Sequence, residues 1–256
     1  MGVSSNPMIP PFLLIPGLDG RGISLNRFLS LISPGTNHSL VAHDDLLTAE
    51  EVASRILDRL RQDPTIRLLI AESFGSIPAL LAARQSSSIA SVVVVNGIGD
   101  GRAIRAGNLS SIRRTIMRFS GRLTQQWVTR YLLSSSSNAE ALSLWSNAMR
   151  NGISAGIAAK LRRWQQFSID SLAKDLVCRV IYIGGESDGL LDLRRQIEPF
   201  KKRLKNFRAW IIPEAPHLLL QTHPYRVVEL LVREQLMTPV SSLPHDKTSV
   251  RESSAP

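Results

Sequence analysis

The residues best suited to chemistry are a serine, an aspartate and a histidine that follow, in that order, three apolar segments. Ser73 stands in Arg67-Leu-Leu-Ile-Ala-Glu-Ser-Phe-Gly-Ser-Ile-Pro-Ala79, which reads as a buried strand turning sharply into a helix of small residues. A serine on such a turn protrudes above the edge of a sheet, with the amide of Phe74 at the helix start beside it, and this suits covalent acyl chemistry. Strand and helix pass close together there, so small neighbours are needed; Ala71 and Gly75 supply them. Ala71 replaces the first glycine of the usual G-x-S-x-G pattern. Alone, so short a pattern also describes an ordinary strand-to-helix junction with a capping serine.

The elements that must position such residues follow from periodicity. Short apolar runs alternate with helical patterns, the mark of a parallel sheet covered by helices. Expected strands are Phe12–Ile15, Ser39–Ala42, Arg67–Ala71, Ser91–Val95, Cys178–Ile183 and Arg208–Ile212. Between them, Thr48 and Glu51 form a capping box ahead of Val52, Ile56 and Leu60. Leu193, Ile197, Phe200 and Leu204 line one helix face, and Pro224 opens a helix carrying Val227, Leu230 and Leu231.

The alternation breaks between Gly101 and Asp175, where helical patterns follow one another without a strand, so residues 101–175 read as an inserted helical cap. Ile112, Ile116, Phe119 and Leu123 fall on one helix face opposite Arg114, Arg118 and Arg122. Leu142, Trp145 and Met149, then Ile157, Leu161 and Trp164, mark two more helices. The expected organisation is a core of residues 9–100 and 176–237, the cap, and a disordered tail over 238–256 rich in Ser, Pro and charge.

In an open parallel sheet the carboxyl ends of the strands face one crevice, so three loops share it. Pro16-Gly-Leu-Asp-Gly20 follows the first strand; its glycines allow close backbone approach, and the Leu18 amide could join that of Phe74 as a second oxyanion donor. Gly184-Gly-Glu-Ser-Asp-Gly-Leu190 offers Asp188, and Pro213-Glu-Ala-Pro-His-Leu-Leu-Leu-Gln-Thr-His-Pro224 offers His217.

With these residues in place, the chain resembles the α/β-hydrolase superfamily over nearly its whole folded length. Ser73 after a central strand, Asp188 after the penultimate strand and His217 after the last stand in that family's order, and the cap insertion falls where its members carry one. The resemblance implies an α/β fold, a mostly parallel sheet flanked by helices with a helical cap; because the chain begins almost at the oxyanion strand, the leading hairpin of larger members is expected to be missing. It further implies acyl transfer through a serine ester. Ser73 is then the nucleophile, His217 the base and acid, Asp188 its orienting partner, and the Leu18 and Phe74 amides the oxyanion hole. No metal or organic cofactor is implied. Pro16-Gly-Leu-Asp-Gly20 with Glu72-Ser-Phe-Gly75 is also similar to a group of carboxylesterases and plastid phytyl ester synthase-type acyltransferases.

Several assignments have competitors. Asp100, after the Ser91–Val95 strand, is a second topologically sensible acid. Glu186 also reads as a solvated loop carboxylate, Asp192 as a first-turn helix residue, Asp19 as a turn former and His223 as a surface or capping residue; His38 and His43 flank a strand without a clear partner. A serine at the turn argues against dehalogenase or epoxide-hydrolase chemistry. Cleavage of a carboxylic ester or thioester leads, ahead of acyl transfer to an alcohol and of a noncatalytic hydrolase-like binding protein.

Composition bounds the remainder. A chain of 256 residues with 43% hydrophobic content can bury a sizeable core. No run reaches the roughly 18 apolar residues of a membrane helix, and the start lacks the features of a secretory signal. Cys178 is the single cysteine, expected as a buried hydrophobe, so a cytoplasmic location is expected. Residues 101–175 hold twelve Arg and Lys against Glu140, Asp170 and Asp175, a net of +9 in a chain of +10. Such a cap would attract an anionic acyl substrate or rest on an anionic membrane, unless it is only a solvated arginine-rich face; nucleic acid is not expected as a partner.

Overall fold

Five segments rich in apolar residues and one polar edge segment lie side by side as the parallel part of a seven-stranded sheet. The computed structural model describes residues 9–32, 36–43, 48–103, 132, 133, 143, 163–237 and 250–253. The strands are β1 (Ile9–Ile15), β2 (Thr36–Leu40), β3 (Leu68–Glu72), β4 (Ser91–Val95), β5 (Arg179–Gly185), β6 (Phe207–Ile212) and β7 (Arg251–Glu252). Their order across the sheet is β2-β1-β3-β4-β5-β6-β7, and only the β6–β7 pair is antiparallel.

Strands β3 and β4 are buried at every position, as unbroken apolar runs in a sheet covered on both faces must be. Alternation divides the core into two layers. Leu13, Ile15, Leu69, Ala71, Val92 and Val94 face one, while Phe12, Leu14, Leu68, Ile70, Val93 and Val95 face the other.

The first layer is closed by α2 (Ala49–Gln62), α3 (Ser76–Gln85) and α4 (Leu193–Arg203), the second by α1 (Asn26–Ile32), α5 (Leu219–Thr222) and α6 (Pro224–Arg233). Thr48 and Glu51 do form a capping box on α2: Glu51 N donates to Thr48 Oγ1 at 3.2 Å and Thr48 N to Glu51 Oε2 at 2.7 Å. Asp192 caps α4, and Leu193, Ile197, Phe200 and Leu204 are all buried beneath it.

Two expectations need correction. The second strand runs over Thr36–Leu40 rather than Ser39–Ala42, because an edge strand accepts polar residues such as Asn37 and His38 that do not register as an apolar run. The tail is not wholly irregular: Trp210 pairs with Glu252, Ile211 with Arg251, and Ser253 N donates to Ala209 O at 3.0 Å, covering the free edge of β6. Among the described residues, the stretch between β4 and β5 contains no strand, and its end is two helical turns, Ile169–Ser171 and Ala173–Asp175. The expected cap helices around Ile112, Trp145 and Ile157 lie outside the described residues. No helix among the described residues is long and apolar enough to cross a membrane.

Candidate active site

The order of strands creates the site. From β1 the chain moves outward to β2, then crosses back to β3 on the other side of β1, so the loops after β1 and β3 part at a topological switch point. Ile15 and Ala71 are register partners, which brings the loop after β1 beside Ser73.

The turn after β3 is as tight as its composition requires. Ser73 has a φ of 50°, a left-handed conformation unusual for a residue with a side chain, and leads directly into the turn Ser73–Gly75 and then α3. A methyl at Gly75 would lie 2.4 Å from the Pro16 oxygen and 2.5 Å from the Ile15 oxygen, so only glycine fits. Ala71 is fully buried in the position where the pattern has glycine. Ser76 locks the turn from inside: its hydroxyl donates to Ser73 O at 2.7 Å and accepts from Ile98 N at 2.9 Å.

Facing this serine, His217 Nε2 lies 3.0 Å from Ser73 Oγ, and His217 Nδ1 lies 2.7 Å from Asp188 Oδ2. A carboxylate can only accept, so Nδ1 carries a proton and Nε2 of the neutral ring is free to accept the serine proton. The Asp188 Oδ1 atom accepts from Leu190 N and Leu191 N, both at 2.8 Å, which fixes the carboxylate's orientation. All three side chains are buried, His217 to 3% and Asp188 to 1% exposure. Burial is the largest influence on His217 and opposes its charging. The Asp188 charge and hydrogen bond, helped by Glu72, outweigh it and hold the imidazole above its ordinary proton affinity.

The loop after β1 folds over the serine. Gly20, at φ 64°, accepts from His43 N at 2.8 Å, and His43 Nε2 donates to Pro16 O at 3.2 Å. His43 is therefore a buried brace for this loop, a partner the sequence did not reveal. A methyl at Gly17 would sit 3.4 Å from Ser73 Cβ, so the segment bearing Leu18 passes close above the turn bearing Phe74. Asp19 is a turn former, with Oδ2 accepting from Ile23 N at 2.7 Å.

Sequence reasoning also missed two side chains that hold the site together. Asn96, at the end of β4 with φ 42°, donates to Pro216 O at 3.0 Å and His217 O at 2.8 Å, and accepts from Gly185 N at 2.8 Å. Glu72 is 2% exposed beside the serine and accepts a hydrogen bond from Ser24 Oγ. A polar residue ending an apolar strand is the only signal either gives in the sequence.

The remaining candidates lie elsewhere. Asp100 is bound by Arg102 through Nε at 3.0 Å and Nη2 at 3.1 Å, whereas Asp188 is the carboxylate hydrogen-bonded to His217. Glu186 is exposed, and His223 Nδ1 lies 2.9 Å from Thr222 Oγ1 between α5 and α6. His38 stacks on Phe12 at 5.8 Å between ring centroids. Cys178 is buried, and burial pushes its thiol up to about 11. Leu132, in the inserted stretch, accepts from Leu218 N at 3.1 Å, immediately beside His217. Among the described residues no group of three His, Cys, Asp or Glu side chains is placed to hold a metal ion.

This chain belongs to the alpha/beta hydrolase family, whose model matches residues 11–230. Its fold is similar to that of an esterase from Exiguobacterium antarcticum (TM-score 0.73, 12% identity, 89% of this chain and 92% of that one). A structure from work on carboxylesterases of the thaumarchaeon Nitrososphaera gargenis gives a TM-score of 0.67 at 14% identity, over 91% and 92% of the two chains. The proline iminopeptidase of Mycobacterium smegmatis gives 0.63 at 13% identity, over 89% of each. At these identities the likeness is one of fold. No curated protein matches the chain in sequence.

Proposed function

We propose that this chain is a serine hydrolase that cleaves a carboxylic ester or thioester through a covalent acyl-enzyme. The observation that carries the reading is the unbroken line from Ser73 Oγ through His217 to Asp188, at 3.0 and 2.7 Å, with Ser73 on a left-handed turn. Membership of the alpha/beta hydrolase family supports hydrolase chemistry.

In this reading His217 accepts the Ser73 proton as Oγ attacks the acyl carbon, and the imidazolium then gives that proton to the departing alcohol or thiol. Asp188 holds the tautomer and balances the imidazolium charge. The Leu18 and Phe74 amides receive the developing oxyanion; one such donor is typically worth about 10²–10³ in rate. Water, activated by the same imidazole, releases the acid.

Hydrolysis of aryl esters and thioesters over a series of acyl lengths, by the intact protein and by Ser73→Ala at matched folding, tests this. Turnover lost with the hydroxyl supports the reading, and the preferred acyl length reports the depth of the pocket. Absence of turnover on every ester and thioester in the series counts against it.

A further inference from the structure

Glu72 is a carboxyl beside the serine with no place in the scheme above. As the last residue of β3 it follows the alternation that puts Leu68 and Ile70 in the second core layer, so it points away from Ala71, towards Ser24. Its Oε2 atom accepts from Ser24 Oγ, and its Oε1 atom is buried with no hydrogen-bond partner among the described residues. A methyl at Gly17 would be 3.6 Å from Oε2 and 3.4 Å from Ser73 Cβ, so the loop after β1 covers both residues.

We propose that Glu72 is a second carboxyl of the candidate site, a positioning residue that acts on His217 through space while its hydrogen bond to Ser24 fastens the serine turn to the helical turn after β1. The proposal deepens the hydrolase reading and rests on it for its catalytic meaning.

A negative charge at Glu72 is costly because the carboxyl is buried. Burial, the largest influence, raises the Glu72 carboxyl to about 7; the Ser24 bond lowers it, Asp19 raises it and His217 lowers it. Among the described residues the groups that act on it are Ser24 from the turn before α1, Asp19 from the loop after β1, and His217 from the loop after β6, which lies between Ser73 and Asp188. Protonated, Glu72 adds no charge and His217 answers to Asp188. Ionised, it adds a second negative charge that favours the imidazolium formed when Ser73 gives up its proton. The influence is mutual: a negative Glu72 favours the imidazolium of His217, and a positive His217 favours the Glu72 carboxylate.

The test is an NMR pH titration of the His217 imidazole, assigned by its loss in His217→Gln, in the intact protein, Glu72→Gln and Ser24→Ala. It needs no turnover, so it decides the proposal even if every ester assay fails. In the intact protein the His217 curve carries a second inflection. In Glu72→Gln that inflection disappears and the midpoint falls by about half a pH unit or more. Ser24→Ala keeps the inflection and moves it to higher pH, because the bond that favours the carboxylate is gone; this variant decides the matter if Glu72→Gln does not fold. With an active enzyme, kcat/KM against pH shows the same pattern, and Glu72→Asp restores the second ionisation. An unchanged His217 curve in Glu72→Gln, or an inflection unmoved in Ser24→Ala, overturns the proposal and leaves Glu72 a structural hydrogen-bond acceptor.

Discussion

The side-chain amide of Asn96 lies 2.8 Å from the backbone oxygen of His217, so the end of β4 holds the loop that carries the imidazole. The same amide group also binds Pro216 O and Gly185 N, and Asn96 is wholly buried. Three backbone groups, one at the end of β5 and two in the loop after β6, thus depend on one side chain. Asn96→Ala would strand them away from water, and buried polar groups without partners cost about 1–3 kcal/mol each. The expected result is a loss of about 3 kcal/mol in urea unfolding and a fall in kcat larger than any change in KM, since the loop bears the base.

Asp188→Asn tests the orienting carboxylate. An amide can donate to Nδ1 and so favour the wrong tautomer, while its volume is unchanged. Turnover falls by about 10³–10⁴-fold with folding intact. A loss below tenfold in steady-state assays contradicts the assignment.

The pH profile follows from His217. The base acts in its neutral form, and Asp188 raises its proton affinity, so kcat/KM climbs with pH along a limb centred above 6.5, the ordinary histidine value. Removing the carboxylate charge in Asp188→Asn lowers that affinity. The residual activity therefore reaches its plateau at lower pH than in the intact protein.

Glu72 also leaves a signature in stability. Its folded proton affinity is raised from 4.5 to about 7, so the folded state keeps a proton that the unfolded chain releases. Its contribution to stability is present below about pH 4.5 and is lost as pH rises towards 7. Glu72→Gln removes that loss, and its unfolding free energy relative to the intact protein increases by up to a few kcal/mol between pH 5 and 8. A pH-independent difference contradicts a buried titrating carboxyl.

Gly75→Ala forces a methyl against the Ile15 and Pro16 oxygens, backbone atoms at the end of β1 and the start of the loop that covers the serine. Destabilisation of at least about 1–3 kcal/mol and loss of activity are expected. Ala71→Gly only removes a buried methyl on the other side of the turn, and costs about 1 kcal/mol with activity retained. Thermal unfolding and ester assays of the two variants separate these outcomes.

Much of this arrangement was legible in the residues because each carries its reason locally. Val92–Val95 can only be a strand buried on both faces, Thr48 with Glu51 announces a helix start, and Ala71, Ser73 and Gly75 demand a close turn. Asp188 and His217 could be placed after their strands because a parallel sheet gathers those ends together. In sequence Asp188 is preferred to Asp100 on its place after the penultimate strand, but both follow strands; the structure adds a 2.7 Å contact from Asp188 to His217 across 29 residues, and Arg102 engages Asp100. Asn96, Glu72 and His43 were hidden for the same reason: their partners Pro216, Ser24 and Pro16 are distant in the chain or backbone atoms. Arg251 and Glu252 sit in a charged, proline-rich tail, and only the open edge of β6 gives them a place.

The most direct test of the account is covalent labelling of Ser73 by a fluorophosphonate, followed by peptide mass spectrometry. The account predicts one adduct per chain, on Ser73, absent in Ser73→Ala and formed about 10³-fold more slowly in His217→Ala. A folded protein that takes up no label, or takes it up on another residue with Ser73 unmodified, contradicts an activated serine at this turn.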